Sequence, residues 1–398
     1  MGDLEGSAQP HHSRFGATRR EGERVTPLEL FFDLVFVLAL TQCTALMAYD
    51  QTWSGLAQGL LVLGVVWWAW VGYSWLTSVI DPEEGAVRLV FFVAMAAMLI
   101  VSLSVKEAFD DLALAFALGL LVFRTAHIVL FMLAGADDQD LRRSVIGLAV
   151  STAVAVGLLV IASSFDGVAQ GALWALAIFL DMAGPYFFGS EGWKIVPGHF
   201  AERHGLILII ALGESIVALG IGASGDLDLG IGTTAVLGVF LASALWWTYF
   251  DVVALVSARR LSEAPVGRVQ NELARDSYSF IHLLMIAGIV LIALGMKVTI
   301  GHYDEHLHAE PAFALLGGVA VYLIGLVAFR YRHIRTLNRH RLGLAIVFLL
   351  LVPVATEIPA LLTVAIAVML IWAMIAFEHR GYGASRAELR REASAAHS

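Results

Sequence analysis

Eight ionisable residues stand inside long apolar runs of this 398-residue chain: Asp33, Arg124, His127, Asp181, Glu214, Asp251, His282 and Glu357. A charge near the centre of a bilayer is costly unless it is paired or wetted, so each of these groups either serves a bound species or is neutralised by a neighbour. Asp33 follows Glu29 by four residues, and that spacing sets both carboxylates on one helix face. Together they would concentrate cations at the mouth of a path; the alternative is that Asp33 neutralises Arg124 or caps a neighbouring helix. Glu214, with Ser215 beside it, lies nearer the middle of its run and suits ion conduction or proton relay. Thr41 and Gln42 form a comparable polar pair after Glu29, while His199, Glu202, Arg203 and His204 crowd the start of the Glu214 helix.

The pathway candidates are therefore Glu29, Asp33, Gln42, Glu202, His204, Glu214 and Ser215. Arg124, His127, Asp181, Asp251 and His282 are structural or relay candidates. Within that group, Arg124 and His127 are expected to pair with Asp181 or another buried acid, and His282 to be a satisfied bundle histidine. His302, His306 and His308, with Asp304 and Glu305, are a weak metal-binding candidate, because a short loop lacks the supporting shell of a real site. No catalytic residue, metal or cofactor is expected.

The elements that must hold these groups are membrane helices. The chain is 59% hydrophobic and only 15% charged, with a mean hydropathy of +0.79. Such a composition calls for repeated runs of about 20 residues, the length that crosses hydrocarbon. Apolar runs predict twelve helices at about 27–48, 55–79, 87–105, 112–134, 143–164, 169–190, 200–223, 230–256, 276–299, 311–330, 342–356 and 360–377. Pro353 and Pro359 break the last stretch, which leaves the eleventh span short. The polar segment 1–26, with Arg14, Arg19, Arg20 and Arg24, reads as a disordered basic leader, and 379–398 as a tail of the same kind. Cys43 is a lone cysteine in an apolar run, so no disulfide framework exists.

Orientation follows from the basic residues. With the N-terminus in the cytoplasm, 22 of the 25 Lys and Arg fall on the inner side. Lys106 and Lys297 alone fall outside, each at a helix end where it can snorkel, and Arg124 lies within a span. Both termini are then cytoplasmic, and the protein sits in the inner (plasma) membrane as a multi-pass chain.

An internal repeat is also legible. Glu29 and Glu202, and the polar pairs Thr41-Gln42 and Glu214-Ser215, recur at an offset near 173. Trp67-Trp68 then matches Trp246-Trp247, Val105-Lys106 matches Met296-Lys297, and Ala115–Leu118 matches Ala312–Leu315 in the same order. The expected architecture is all-α, with parallel six-helix repeats at 27–190 and 199–377, an arrangement common among transporters and channels.

Several chemistries lack their motifs. The chain has no GxSxG elbow, P-loop, HExxH helix, CxxC pair or TVGYG filter, and no soluble domain large enough for an ATPase. The run Leu28-Glu29-Leu30-Phe31-Phe32-Asp33-Leu34-Val35-Phe36-Val37, continuing to Thr41-Gln42, resembles the signature of the bacterial low temperature requirement A (LtrA) family. So does His199-Phe200-Ala201-Glu202-Arg203-His204-Gly205-Leu206, running on to Gly213-Glu214-Ser215. That resemblance implies a bacterial membrane protein without implying an activity. The first helix is also distantly similar to the Arg-x-x-x-Phe-Ser-Asp helix of endolysosomal-type two-repeat potassium channels, with Phe31 and Asp33 on the motif positions. It departs at Pro27 and Phe32, and the second repeat has Arg203-His204-Gly205 instead.

Three functions fit. The first is a channel or secondary transporter for a small ion or solute, with helices 1 and 7 lining the path. The second is a membrane-embedded enzyme or lipid-handling protein using His199, Glu202, His204 and Glu214. The third is a stress-adaptation sensor or scaffold. The expected partners are the lipid bilayer and an unidentified small ion or solute, with no nucleic acid; self-association into a homo-oligomer stays open.

Overall fold

A computed structural model describes residues 24–396 apart from 84, 137, 188–191 and 224–226, with side chains to Arg380. The segment 1–23, most of the expected leader, lies outside the described residues. The described chain is a bundle of helices, with no β structure beyond one isolated bridge between His306 and Pro359.

The helices are α1 Pro27–Tyr49, α2 Trp53–Thr77, α3 Gly85–Ser104, α4 Ala113–Ala134, α5 Gln139–Ala162 and α6 Gly167–Phe187. They continue as α7 Pro197–Gly222, α8 Leu229–Phe250, the short α9 Val253–Glu263, α10 Arg268–Gly301, α11 Ala309–Ile334, α12 Arg339–Ala355 and α13 Ala360–Ala396. Eleven of these are long and apolar enough to cross a membrane. The helix expected as a further span, α12, has 17 residues with Pro353 inside it and is not among the eleven. It nevertheless returns the chain to the opposite face. α11 starts beyond the 302–308 loop, and the segment after α12 is pinned to that loop by Ala360 N–H donating to Glu305 O and Leu361 N–H to Tyr303 O. The sequence reading missed α9, a helix after Asp251. It counted Glu357 among the ionisable groups inside apolar runs, whereas Glu357 is exposed in the turn between α12 and α13. The helix α13 runs on through the segment read as a tail.

Side-chain caps begin many of the helices. Thr26 and Glu29 form a reciprocal capping box on α1 with Pro27 in the first turn, and Thr52, Asp138, Asp228 and Asn338 cap α2, α5, α8 and α12. Within lipid, burial of apolar surface no longer drives helix association, so close packing and polar contacts must supply it. α10 and α11 show this most clearly: a Cβ on Gly318 would lie 2.8 Å from Gly288 O, and one on Gly288 would lie 2.7 Å from Gly318 O. Gly222 likewise fits against Lys297 O of α10, but Gly213 and Gly220 face open space and mediate no approach. The outer surface is apolar, with Leu89, Phe92, Leu99, Ile146, Phe179 and Phe240 exposed as a lipid-facing side.

Two wider π-helical stretches interrupt α10 at Arg275–Ile281 and α11 at Phe313–Gly317. Such stretches release backbone groups from the regular ladder. In α10 the released groups are used: the Trp67 indole donates to Ser279 O at 2.7 Å, and Trp75 to Ser279 Oγ at 3.0 Å.

Candidate functional site

α1 and α7 lie side by side and run the same way. Val25 N–H donates to Glu202, Arg203 to Glu29, and Thr41 to Glu214, pairing residues 177, 174 and 173 positions apart. That narrow range of register leaves the polar faces of both helices opposed along one seam. Two polar nodes result.

The first node lies where both helices begin, and it is sealed: Glu29, Asp33, His199 and Arg203 are all fully buried. Glu29 Oε2 closes the capping box with the Thr26 amide at 2.8 Å. Its Oε1 meets His199 Nε2 at 2.8 Å and accepts from Arg203 Nη1 at 3.2 Å. Arg203 also donates to Thr77 at 3.0 Å and through Nη2 to Asp33 Oδ1. The same Asp33 oxygen accepts the Trp70 indole N–H at 2.9 Å, and the Arg203 guanidinium sits 5.5 Å from the Trp70 ring centre. Ser78 Oγ is 3.2 Å from His199 Nδ1. Asp33 therefore neutralises Arg203, not Arg124. Arg203, which the sequence reading left out of the pathway and relay candidates, is the cation at the centre of the node. The signal available in the sequence was its spacing, four residues after His199, which puts both on the face that meets α1.

The second node lies 11 residues further along α7, about 16 Å by helical rise. The Thr41 hydroxyl donates to Glu214 Oε2, Thr44 adds a second hydroxyl, and Lys297 of α10 acts on the carboxylate at longer range. Ser215 turns back to donate to Leu212 O at 2.6 Å. Gln42 is half-buried beside this node.

His204 belongs to neither node. It points to α10, where its ring lies 5.4 Å from His282 and 4.9 Å from Trp70, and its Nδ1 donates to Phe200 O at 2.8 Å. His282 is satisfied on both nitrogens: Nδ1 faces Ser277 O at 3.2 Å and Nε2 the Tyr249 hydroxyl at 3.0 Å. Glu202 is exposed, holding the Val25 amide. The set His199, Glu202, His204 and Glu214 therefore does not converge on one site.

Away from the seam, Arg124 Nη2 meets Asp181 Oδ2 at 3.0 Å with Ser151 and Thr152 beside it, tying α4 to α5 and α6. His127 lies against the Gly72 backbone, and neither ring nitrogen makes a well-formed hydrogen bond among the described residues. Both residues border an apolar cavity of about 50 Å³ with Trp68, Trp75, Trp193 and Arg275. Asp251 ends α8 at the start of the α9 turn.

On the opposite face, Asp228 caps α8 through the Ile231 amide at 2.7 Å and accepts the Tyr303 hydroxyl at 2.9 Å. Those two donors hold its carboxyl below the usual range, and the same bond raises the Tyr303 phenol. In the neighbouring loop His302 pairs with Glu305 at 3.3 Å. No group of three His, Cys, Asp or Glu side chains suited to a metal is present among the described residues.

The helices and their internal polar nodes define an all-α, multi-pass membrane protein. Over residues 24–376 the chain matches the model of the family described as bacterial low temperature requirement A protein (LtrA), and it belongs to that family. It is 28% identical to an uncharacterized protein of Rhizobium meliloti (strain 1021), across 94% of this chain and 95% of that one. No solved structure matches, and the similarity to endolysosomal-type potassium channels finds no support in these comparisons.

Proposed function

We propose that this protein is a channel or secondary transporter for a small ion or solute, with its path along the α1–α7 seam. The observation that carries the reading is Glu214, a carboxylate buried deep in the seam whose described hydrogen-bond donors are hydroxyls. A carboxylate held by hydroxyls in lipid suits a site that exchanges a cation or proton, whereas a purely structural acid is fastened by a guanidinium, as Asp181 is.

Two six-helix repeats at 27–190 and 199–377 complete the proposal. In each half the first helix packs on the second and third, the third on the fourth, the fourth on the fifth, and the sixth returns to the second. The seam contacts join residues 170 to 177 positions apart, close to the offset of 173 at which the sequence repeat begins. A pseudo-two-fold along the membrane normal would then run beside α1 and α7, where such transporters place their site. The face where α1 begins is assigned to the cytoplasm of the plasma membrane on the distribution of Lys and Arg.

The test is flux of potassium, sodium and protons into liposomes carrying the purified protein. Selective flux that Glu214→Gln diminishes at equal reconstituted, folded protein is the expected result. Unchanged flux in that variant overturns the assignment of Glu214, and no flux of any of the three ions overturns the reading for inorganic cations.

A further inference from the structure

We infer that the node of Glu29, Asp33, His199 and Arg203 is a proton-binding site, which makes the proton the coupling ion of the transport reading above. The inference rests on that reading only for the word coupling; the proton site itself follows from charge and geometry.

Among the described residues, the node sets two acids against one fixed cation. Glu29 and Asp33 come from α1, and Arg203 is the fixed cation from α7. α2 contributes Trp70, Thr77 and Ser78, all neutral. Across Trp70 stand His204 of α7 and, behind it, His282 of α10, while Glu202 and Glu83 hold the backbone amides of Val25 and Leu28 at the rim. With both acids ionised and His199 neutral, four fully buried groups carry one net negative charge. A buried charge left uncompensated is expensive, and one proton removes it.

Two seats for that proton are built. His199 is the first. Nε2 faces Glu29 Oε1, which accepts in either protonation state, and Nδ1 faces Ser78 Oγ, which donates to a neutral ring and accepts from a charged one. The hydroxyl need only rotate, so the ring changes charge without moving a helix. Asp33 Oδ2 is the second seat, a buried carboxylate oxygen with no hydrogen-bond partner among the described residues. Arg203 cannot be a seat, because a guanidinium stays protonated. A sodium or potassium ion would need several oxygens converging on it; here Glu29 Oε1, Glu29 Oε2 and Asp33 Oδ1 are taken up by Arg203, His199, Trp70 and Thr26, which leaves Asp33 Oδ2 alone.

The experiment is a pH titration of the full chain in lipid nanodiscs. It follows the imidazole nitrogens of His199 by NMR, assigned by their loss in His199→Gln, and the carboxylic C=O band by infrared difference spectroscopy. In the wild type one of the two seats should take up and release a proton across the neutral range. In Asp33→Asn one negative charge is removed from the node, so the His199 midpoint should fall by about one pH unit or more, a tenfold or larger loss of proton affinity. Overturning it requires only the wild type: a neutral His199 throughout, with no carboxylic band that changes with pH. Where the wild type shows His199 to be the seat, an unchanged His199 midpoint in folded Asp33→Asn also overturns it. Neither readout needs flux, so a titrating node in a protein that moves no ion would refute the transport reading and leave this one standing.

Discussion

Replacing Arg203 by Met removes the one fixed cation that Glu29 and Asp33 share. The side chain is fully buried and donates to Glu29, Asp33 and Thr77, so the substitution strands two buried carboxylates at once. Removing one partner of a buried pair costs about 3–5 kcal/mol, since the remaining charge has neither water nor a counterion. Here the upper part of that range applies, because the substitution strands two acids rather than one. Adding Asp33→Asn takes away one stranded charge and leaves Glu29 facing His199 at 2.8 Å, a pair that one proton neutralises. The double variant should therefore recover about 2 kcal/mol relative to the sum of the two single effects, as groups in direct contact do. Equilibrium unfolding of the wild type, both single variants and the double variant in the same detergent gives the four numbers. The reasoning is refuted if Arg203→Met lies within about 1 kcal/mol of the wild type, or if the two changes are simply additive.

Two further outcomes test the packing and the far face. Gly318→Ile places side-chain atoms where a Cβ already lies 2.8 Å from Gly288 O, and should cost about 1–3 kcal/mol in thermal or denaturant unfolding. Gly220→Ala, in open space on α7, should not destabilise, and equal losses in both variants would sink the close-approach account. Asp228 is held below the usual carboxylate range by the Ile231 amide and the Tyr303 hydroxyl, so its cap strengthens the fold at neutral pH. A depressed carboxyl contributes above its unfolded value and loses that contribution as pH falls through its folded one. Amide exchange at Ile231 should accordingly quicken on acidification below the ordinary Asp range in the wild type, and be fast and insensitive to pH there, once corrected for intrinsic exchange, in Asp228→Ala.

Much of this was legible in the chain itself. Lengths of apolar sequence determine crossing helices because lipid offers the backbone no other partner, and each of the twelve runs fell on a helix that forms, although α10 begins at Arg268, well before its run, and α13 continues to Ala396, well past it. The i,i+4 spacing of Glu29 and Asp33 put both carboxylates on one face, and the Thr26–Glu29 box with Pro27 marks the start of α1. The partners were another matter. A one-dimensional pattern says which face a charge occupies but not which helix lies against it, so Asp33 was equally compatible with Arg124 on α4 and Arg203 on α7. Only the packing of α1 on α7 at a register near 173 decided for Arg203, and it turned an expected cation entrance into a sealed ion-pair node. The same packing gave Glu214 hydroxyl donors, with Lys297 only at longer range, and sent His204 to α10. The π-helical turn at Arg275–Ile281 left no periodic trace, because it is set by what Ser279 must receive from Trp67 and Trp75 on α2, more than 200 residues away in sequence.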